Sequence, residues 1–363
     1  MREKHSMRMV EAGGPAYKLG FEIGSQCQDL TREMVEDCRR GLKQKYDVDW
    51  DRARVIAQKF LSFCEDSIPK YVDELKGYAE GASLELEEVF ILFCFYSGER
   101  ERIFGCTDLV VSAGLTREKH VFMAHNEDTT PKERKYLCLV RGKPEGAPAF
   151  LTVTYGGVIF NAGLNSAGLG FGGNALNPND TRVGIPVDMV FRAMYGAKTI
   201  VEALTYANLP HRESSYNNIV ADTQGQIYNI EGSATDFELT YAGGSYLVHS
   251  NHYITEKMKK YESDFRHDIR EIKQYMCSVA RFNRMSNLVV ESEEISVPGI
   301  MTMMRDHANY PCSICRHVSE EGTGDDQVQT NFSSIVDLTT QELWLCYGNP
   351  CCAEYERYTL QSP

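Results

Sequence analysis

The stretch RIFGCTDLVVSAGL, residues 102–115, is where this chain changes character. Before it, residues 1–104 read mainly as helix. After a glycine-rich start, GGPAYKLGFEIGSQCQDLTREMVEDCRRGLKQKY carries apolar residues at helical spacing. DWDRARVIAQKFLSFCEDSI continues the pattern, with Asp49 placed to cap it, and Pro69 opens PKYVDELKGYAEGASL. LEEVFILFCFYSGERER is apolar on nearly every side at its centre, which marks a buried helix. From Cys106 onward the period becomes two. CTDLVVSAG and HVFMAHNED, separated by the polar LTREK, predict a hairpin over residues 106–128.

Further along, KYLCLVRG, AFLTVTYGGVIF and AGLGFGG predict strands. IPVDMVFRAMYG and KTIVEALTYANL return to helical spacing, with apolar positions that suit a core. SYNNIVADTQGQIYNIEGSATDFELTYAGGSYLVHSNH predicts at least three strands, and DFRHDIREIKQYMCSVARFNRMSNLV a helix. VQTNFSSIVDLTTQELWLCYGNPC predicts a closing hairpin around DLTTQ. No repeat of about 20–50 residues is present. Two batches of strands with helices between them predict α+β layers rather than a doubly wound parallel sheet.

The 363 residues fit one large domain or two ordinary ones, and 42% hydrophobic with 25% charged residues is the composition of a soluble globular protein. A net charge of −13 repels phosphate backbones and argues against nucleic acid as a partner. The first fifteen residues lack an apolar core of signal-peptide length, and VFILFCFY at 89–96 is too short to cross a bilayer. The expectation is a cytoplasmic protein without a membrane partner. In that compartment most of the twelve cysteines should be reduced and buried. Cys312 and Cys315 form a CxxC, but a zinc site needs a second ligand pair at similar spacing, and the adjacent Cys351 and Cys352 do not supply that pattern.

Gly168, Gly170 and Gly173 match G-x-G-x-x-G, yet NALNPND follows instead of a helix start, and no acidic residue follows at the spacing a ribose contact needs. Backbone crowding between strands explains these glycines better, and no cofactor is expected. No G-x-S-x-G elbow is present. The Gly105–Cys106 pair carries the more informative chemistry. A cysteine after glycine at the start of a strand can attack the carbonyl before it, because glycine permits strained backbone and open approach. An N→S acyl shift and hydrolysis would free Cys106 as a new N-terminus, whose α-amine, with a pKa of about 7.7–8.0, can act as general base for its own thiol. A buried structural cysteine is the competing reading of the pair alone.

GCTD at 105–108, followed by the hairpin ending HNED at 125–128, resembles the acyl-CoA:6-aminopenicillanic acid acyltransferase family of N-terminal nucleophile hydrolases, with choloylglycine hydrolases as distant relatives. GGPAYKLGFEIGSQ, VDELKGYAEGASLELEEVFILFCFYSGE, GLNSAGLGFGGNAL, HSNHY, SVARFNRM and CRH with SSIVDLTTQELWLCYGNPC follow in the family's order over nearly the whole chain. The resemblance implies an αββα sandwich of two antiparallel sheets flanked by helices. It implies self-cleavage between Gly105 and Cys106 into a helical segment, residues 1–105, and a nucleophile-bearing chain, residues 106–363, which stay associated as one compact domain. It implies roles for Cys106 as nucleophile, for Asp128 as the acid near the new ammonium or thiol, for Asn251 as an oxyanion donor and for Arg281 as an electrostatic brace. Asn174 matches a second oxyanion asparagine or is a turn residue. Competing readings are a hairpin-end acid for Asp128 and a helix-surface salt bridge for Arg281. His125 stands where bile-acid hydrolases carry arginine, so their substrate contacts do not transfer; it is either a titrating group or a strand residue with a satisfied ring. Strand alternation turns Glu127 away from the face of Asn126 and Asp128.

The implied reaction is acyl transfer through a Cys106 acyl-enzyme from an N-acyl amine, peptide-like amide or acyl-CoA to water or an amine, with no metal or diffusible cofactor. The alternatives are an unprocessed, catalytically silent binding protein and a cysteine-rich metal or redox protein.

Overall fold

The structure, a computed structural model, describes residues 7–96, 105–319 and 327–360. The helical run expected to continue over 97–104, and with it the part of the opening stretch before Gly105, lies outside the described residues. Among those described, no helix is long and apolar enough to cross a membrane.

The N-terminal helices form where the sequence places their signals. Helix α1 spans Ala16–Gln26 and α2 spans Gln28–Tyr46. Asp49 caps α3 (Trp50–Ser67) by accepting from the backbone N–H of Arg52 at 2.8 Å. Pro69 takes the first position of α4 (Pro69–Gly81), where its missing N–H costs nothing. A reciprocal Glu85–Glu88 capping box starts α5 (Leu86–Ile91), which runs into a wider turn over Leu92–Tyr96 and is buried from Val89 to Cys94.

Two sheets follow. The first has eight strands in the order β1–β4–β5–β6–β7–β8–β9–β10: Arg8–Gly14, Leu137–Pro144, Phe150–Tyr155, Ile159–Asn165, Leu169–Asn174, Asn217–Asp222, Ile227–Gly232 and Phe237–Tyr241. The second has six, in the order β11–β2–β3–β12–β13–β14: Tyr246–His249, Gly105–Val111, Phe122–Thr129, Gln329–Asp337, Glu342–Tyr347 and Tyr355–Thr359. Helices α6 (Val187–Met194) and α7 (Ile200–Ala207) lie with α1 and α4 outside the first sheet. Helices α8 (Ile269–Glu291) and α9 (Val297–Met304) cover the second. The fold is therefore an α+β sandwich of helix, sheet, sheet and helix, as expected.

Four details differ from the sequence reading. RMVEAGG is strand β1, with Val10 and Ala12 turned inward, and it pairs parallel to β4, so the first sheet is mixed rather than wholly antiparallel. AFLTVTYGGVIF is two strands, because Gly156 and Gly157 adopt φ of +61° and +81° and turn the chain back. β14 adds an edge strand after the closing hairpin. Ten of the twelve cysteines are free and eight of those are buried, as expected, but Cys312 is disulfide-bonded to Cys277 of α8, so the CxxC does not act as a pair.

Glycines set two close approaches. A Cβ on Gly170 would lie 2.5 Å from Met123 Sδ, and one on Gly172 would lie 2.9 Å from Asp108 Oδ1, so the side chains of β2 and β3 pack directly on the backbone of β7. Irregular chain, not a helix, follows β7, and the crowding reading of the glycine motif accounts for its geometry. Gly20 and Gly24 of α1 face Gly77 and Gly81 of α4; a Cβ on Gly77 would lie 1.9 Å from the carbonyl oxygen of Tyr17. Gly77→Val should therefore lower stability by at least about 1–3 kcal/mol. Gly41→Ala, in a helix position with open space around it, should be neutral or stabilise by up to about 1 kcal/mol. Urea denaturation midpoints check both.

Candidate active site

The site grows from the register of one strand pair. Gly105 lies opposite Asp128, Cys106 opposite Glu127, and Asp108 opposite His125. Because side chains alternate, Cys106, Asp108, His125 and Glu127 share the face toward the first sheet. Thr107, Asn126 and Asp128 share the face toward α8 and α9: Asn126 Nδ2 donates to the carbonyls of Met304 and Ile314 at 3.0 and 2.9 Å.

On the inner face, Cys106 Sγ lies 3.2 Å from Glu127 Oε2, and His125 Nε2 lies 3.1 Å from the same oxygen. His125 Nδ1 lies 3.0 Å from Asp108 Oδ1, and Asn174 Nδ2 donates to Asp108 Oδ2 at 2.7 Å. Tyr155 donates its hydroxyl to Glu127 Oε1 at 2.9 Å. Cys106 and Glu127 form one wall of a pocket that continues past Asn174 to Phe160, Phe191, Asp188 and Tyr216. Burial pushes the Cys106 thiol well above its usual range, and Glu127, Asp108 and Asp128 add to the effect. Burial pulls the His125 imidazole down, but Asp108 and Glu127 outweigh it and raise it to about 10. The ring is thus an imidazolium at neutral pH and donates to both carboxylates. Cys106, His125 and Glu127 present donor atoms within 4.8 Å of one another, close enough for a metal, which would have to displace a proton from the doubly donating ring.

On the outer face, Arg281 reaches β2 from α8, its side chain almost wholly buried. It donates to the backbone carbonyl of Cys106, to Thr107 Oγ1 at 2.8 Å and to Asn251 Oδ1 at 2.8 Å, and stands 4.0 Å from Asp128. Asn251 Oδ1 also accepts from the backbone nitrogen of Cys106 at 2.7 Å, while its Nδ2 donates to the carbonyl of Ala175 at 3.1 Å. Asp128 accepts from Thr330 Oγ1 at 2.7 Å. Burial raises its carboxyl to about 6, against the pull of Arg281 and Arg316. A Cβ on Gly105 would lie 2.8 Å from Arg316 Nη1, 3.1 Å from Asp128 Oδ2 and 3.2 Å from Arg281 Nη2. A larger residue there would crowd these charged side-chain tips, and no positive φ calls for glycine.

All five residues singled out in sequence thus gather around one strand end. Cys106 and Asn174 face the pocket, whereas Asp128, Arg281 and the carbonyl oxygen of Asn251 sit behind the strand, beside the Gly105–Cys106 peptide. The His125 ring is both satisfied and part of the site. Glu127, Asp108, Tyr155 and Arg316 received no role in sequence. Alternation carried across the hairpin register would have placed Glu127 beside Cys106; Arg316 lies in the CRH motif without a role of its own, and nothing local marks Tyr155.

The sequence model described as acyl-coenzyme A:6-aminopenicillanic acid acyl-transferase matches residues 115–351. The chain belongs to that family. A 40 kDa acyl-coenzyme A:6-aminopenicillanic-acid-acyltransferase of Emericella nidulans is 24% identical over 95% of this chain and 93% of its own. The β-alanyl-dopamine/carcinine hydrolase of Drosophila melanogaster is 21% identical over 96% and 94%. Among solved structures, a variant of conjugated bile acid hydrolase from Clostridium perfringens overlaps 71% of this chain and 99% of its own, with a TM-score of 0.46 and 13% identity. Family membership makes the chain an enzyme of the hydrolase or acyltransferase kind.

The raised His125 pKa has a consequence for stability. Its stabilising charge pairs are complete below the unfolded value near 6.5 and are lost as pH rises through about 10. Thermal unfolding midpoints should fall across that window in wild type and fall less in His125→Gln; parallel profiles would refute the pairing.

Proposed function

We infer that the chain is a self-processing cysteine amidohydrolase or acyltransferase that works through a Cys106 acyl-enzyme. The observation that carries this reading is the junction at Gly105. There the backbone enters β2 directly before a buried thiol that opens on a pocket, and Asp128 Oδ2 and Arg316 Nη1, which make no hydrogen bond among the described residues, converge on the glycine. Buried polar atoms left unpaired in a folded chain are costly, and here they surround the bond expected to break.

In self-cleavage, Cys106 Sγ attacks the Gly105 carbonyl carbon. The C–S bond forms, the C–N bond breaks, and the thiol proton goes to the Cys106 nitrogen. Water then hydrolyses the thioester, leaving a 105-residue chain that ends in a carboxylate and a 258-residue chain that begins with Cys106. The freed amine lies beside Asn251 Oδ1, which accepts from it and orients it, while the nearby Arg281 cation disfavours its protonated form. A neutral α-amine takes the thiol proton, and the thiolate attacks the substrate carbonyl. In an oxyanion role Asn251 would use the second N–H of its Nδ2, the first being given to the Ala175 carbonyl, and losing such a donor costs roughly 10²–10³ in rate.

Water or an amine then removes the acyl group. Cleavage of an N-acyl amine or peptide-like amide is the favoured net reaction, with transfer from acyl-CoA next. The named relatives, a hydrolase in one case and an acyl-CoA-dependent acyltransferase in the other, span these two outcomes. Wild type should run on a denaturing gel as two chains and Cys106→Ala as one. A single full-length band in both would sink the self-processing reading and favour an unprocessed binding protein. For the processed enzyme, intact-mass measurement after incubation with N-acyl amines and acyl-CoAs should show the acyl adduct on the 258-residue chain.

A further inference from the structure

Away from the Cys106 pocket, two chain segments converge beside the second sheet. His307 lies just beyond α9, Cys315 and His317 follow on the same loop, and Cys351 lies in the turn after β13. One donor atom from each lies within 4.8 Å of the other three. His307 Nε2 and His317 Nε2 are 3.1 Å apart; His317 Nε2 is 3.6 Å from Cys315 Sγ and 3.5 Å from Cys351 Sγ. Tetrahedral zinc with bonds of about 2.3 Å to sulfur and 2.0–2.1 Å to nitrogen puts its ligands about 3.3–3.8 Å apart. These three separations are within a few tenths of an ångström of that spacing, and the remaining pairs, within 4.8 Å, need to close by no more than about 1–1.5 Å.

We propose that His307, Cys315, His317 and Cys351 form a structural zinc site. Two imidazoles and two thiols are the donor set zinc prefers, and two thiolates would neutralise its charge. The loop that carries three of the ligands is already shaped: Cys315 N–H donates to the carbonyl of Asp306 at 3.0 Å and His317 N–H to that of Pro311 at 3.2 Å. Asn349 supplies an outer contact, its Nδ2 lying 3.7 Å from Cys315 Sγ and donating to the Arg316 carbonyl at 2.7 Å. His307 is exposed and Cys351 half-buried, which leaves an entry path. Cys352, exposed beside Cys351 at 3.4 Å between sulfurs, lies outside the four. Because Arg316 sits between two ligands, the metal would hold both flanks of the guanidinium that packs against Gly105. The site itself does not depend on the catalytic reading.

The test uses the full chain without a histidine tag, in the Cys106→Ala background so that the Cys106–His125–Glu127 cluster cannot compete. After reduction, equimolar Zn²⁺ and dialysis, elemental analysis should find about one zinc per chain. Cys315→Ser and Cys351→Ser should lose it and Cys352→Ser should keep it. His307→Ala, at an exposed position where misfolding is not expected, should surrender zinc to a chelator that wild type resists. Failure of the reduced chain to retain zinc overturns the proposal, as does full occupancy in a His307→Ala/Cys351→Ser double variant. A Cys315–Cys351 disulfide that, once reduced, still takes up no metal also overturns it.

Discussion

The arrangement around Cys106 depends on a buried cation. Arg281 has left water almost completely, and a charge in that position is tolerable only if acceptors surround it. They come from three separate parts of the chain: the backbone of Cys106 and the hydroxyl of Thr107 on β2, the side-chain oxygen of Asn251 after β11, and more distantly the carboxylate of Asp128 on β3. Satisfying one guanidinium thus fixes the start of β2, the turn after β11 and the depth of α8 together. Arg316 adds a second buried cation on the same side, and burial lowers it to about 10.

That cation lies behind the strand, and the thiol lies in front. β2 therefore separates two jobs. Its outer face meets the peptide between Gly105 and Cys106, where Arg281, Arg316 and Asp128 gather. Its inner face turns the sulfur toward the pocket, against a carboxylate–imidazolium–carboxylate row of Glu127, His125 and Asp108. The row fits between the sheets because β7 brings glycines to the interface, and a side chain at Gly172 would strike Asp108. Packing at the sheet interface and electrostatics at the site are thus the same constraint seen from two strands.

The region beside the second sheet shows a similar economy. The disulfide from Cys277 ties α8 to the loop that follows α9, and His307, Cys315 and His317 of the same loop meet Cys351 from the turn after β13. Both links act on the segment that delivers Arg316. A loop that must hold a buried guanidinium in place cannot depend on its own backbone alone.

Much of this was legible in the chain itself. Period-two alternation announced the β2–β3 hairpin, caps at Asp49 and Pro69 announced the helices, and ordered motifs singled out Cys106, Asp128, Asn251, Arg281 and Asn174. Alternation also separated Glu127 from Asp128, because successive side chains on a strand must point to opposite faces. Strand β1 was hidden because its partner β4 lies far along the chain and parallel pairing leaves no turn to read. Tyr155 and Arg316 were hidden because their contacts cross between elements distant in sequence. The CxxC spacing suggested a pair that the fold divides, sending Cys312 to α8 and Cys315 to two histidines and Cys351. Local periodicity determines which way a side chain faces. Only tertiary packing decides what it finds there, because burial, not sequence distance, sets which charges and thiols must satisfy one another.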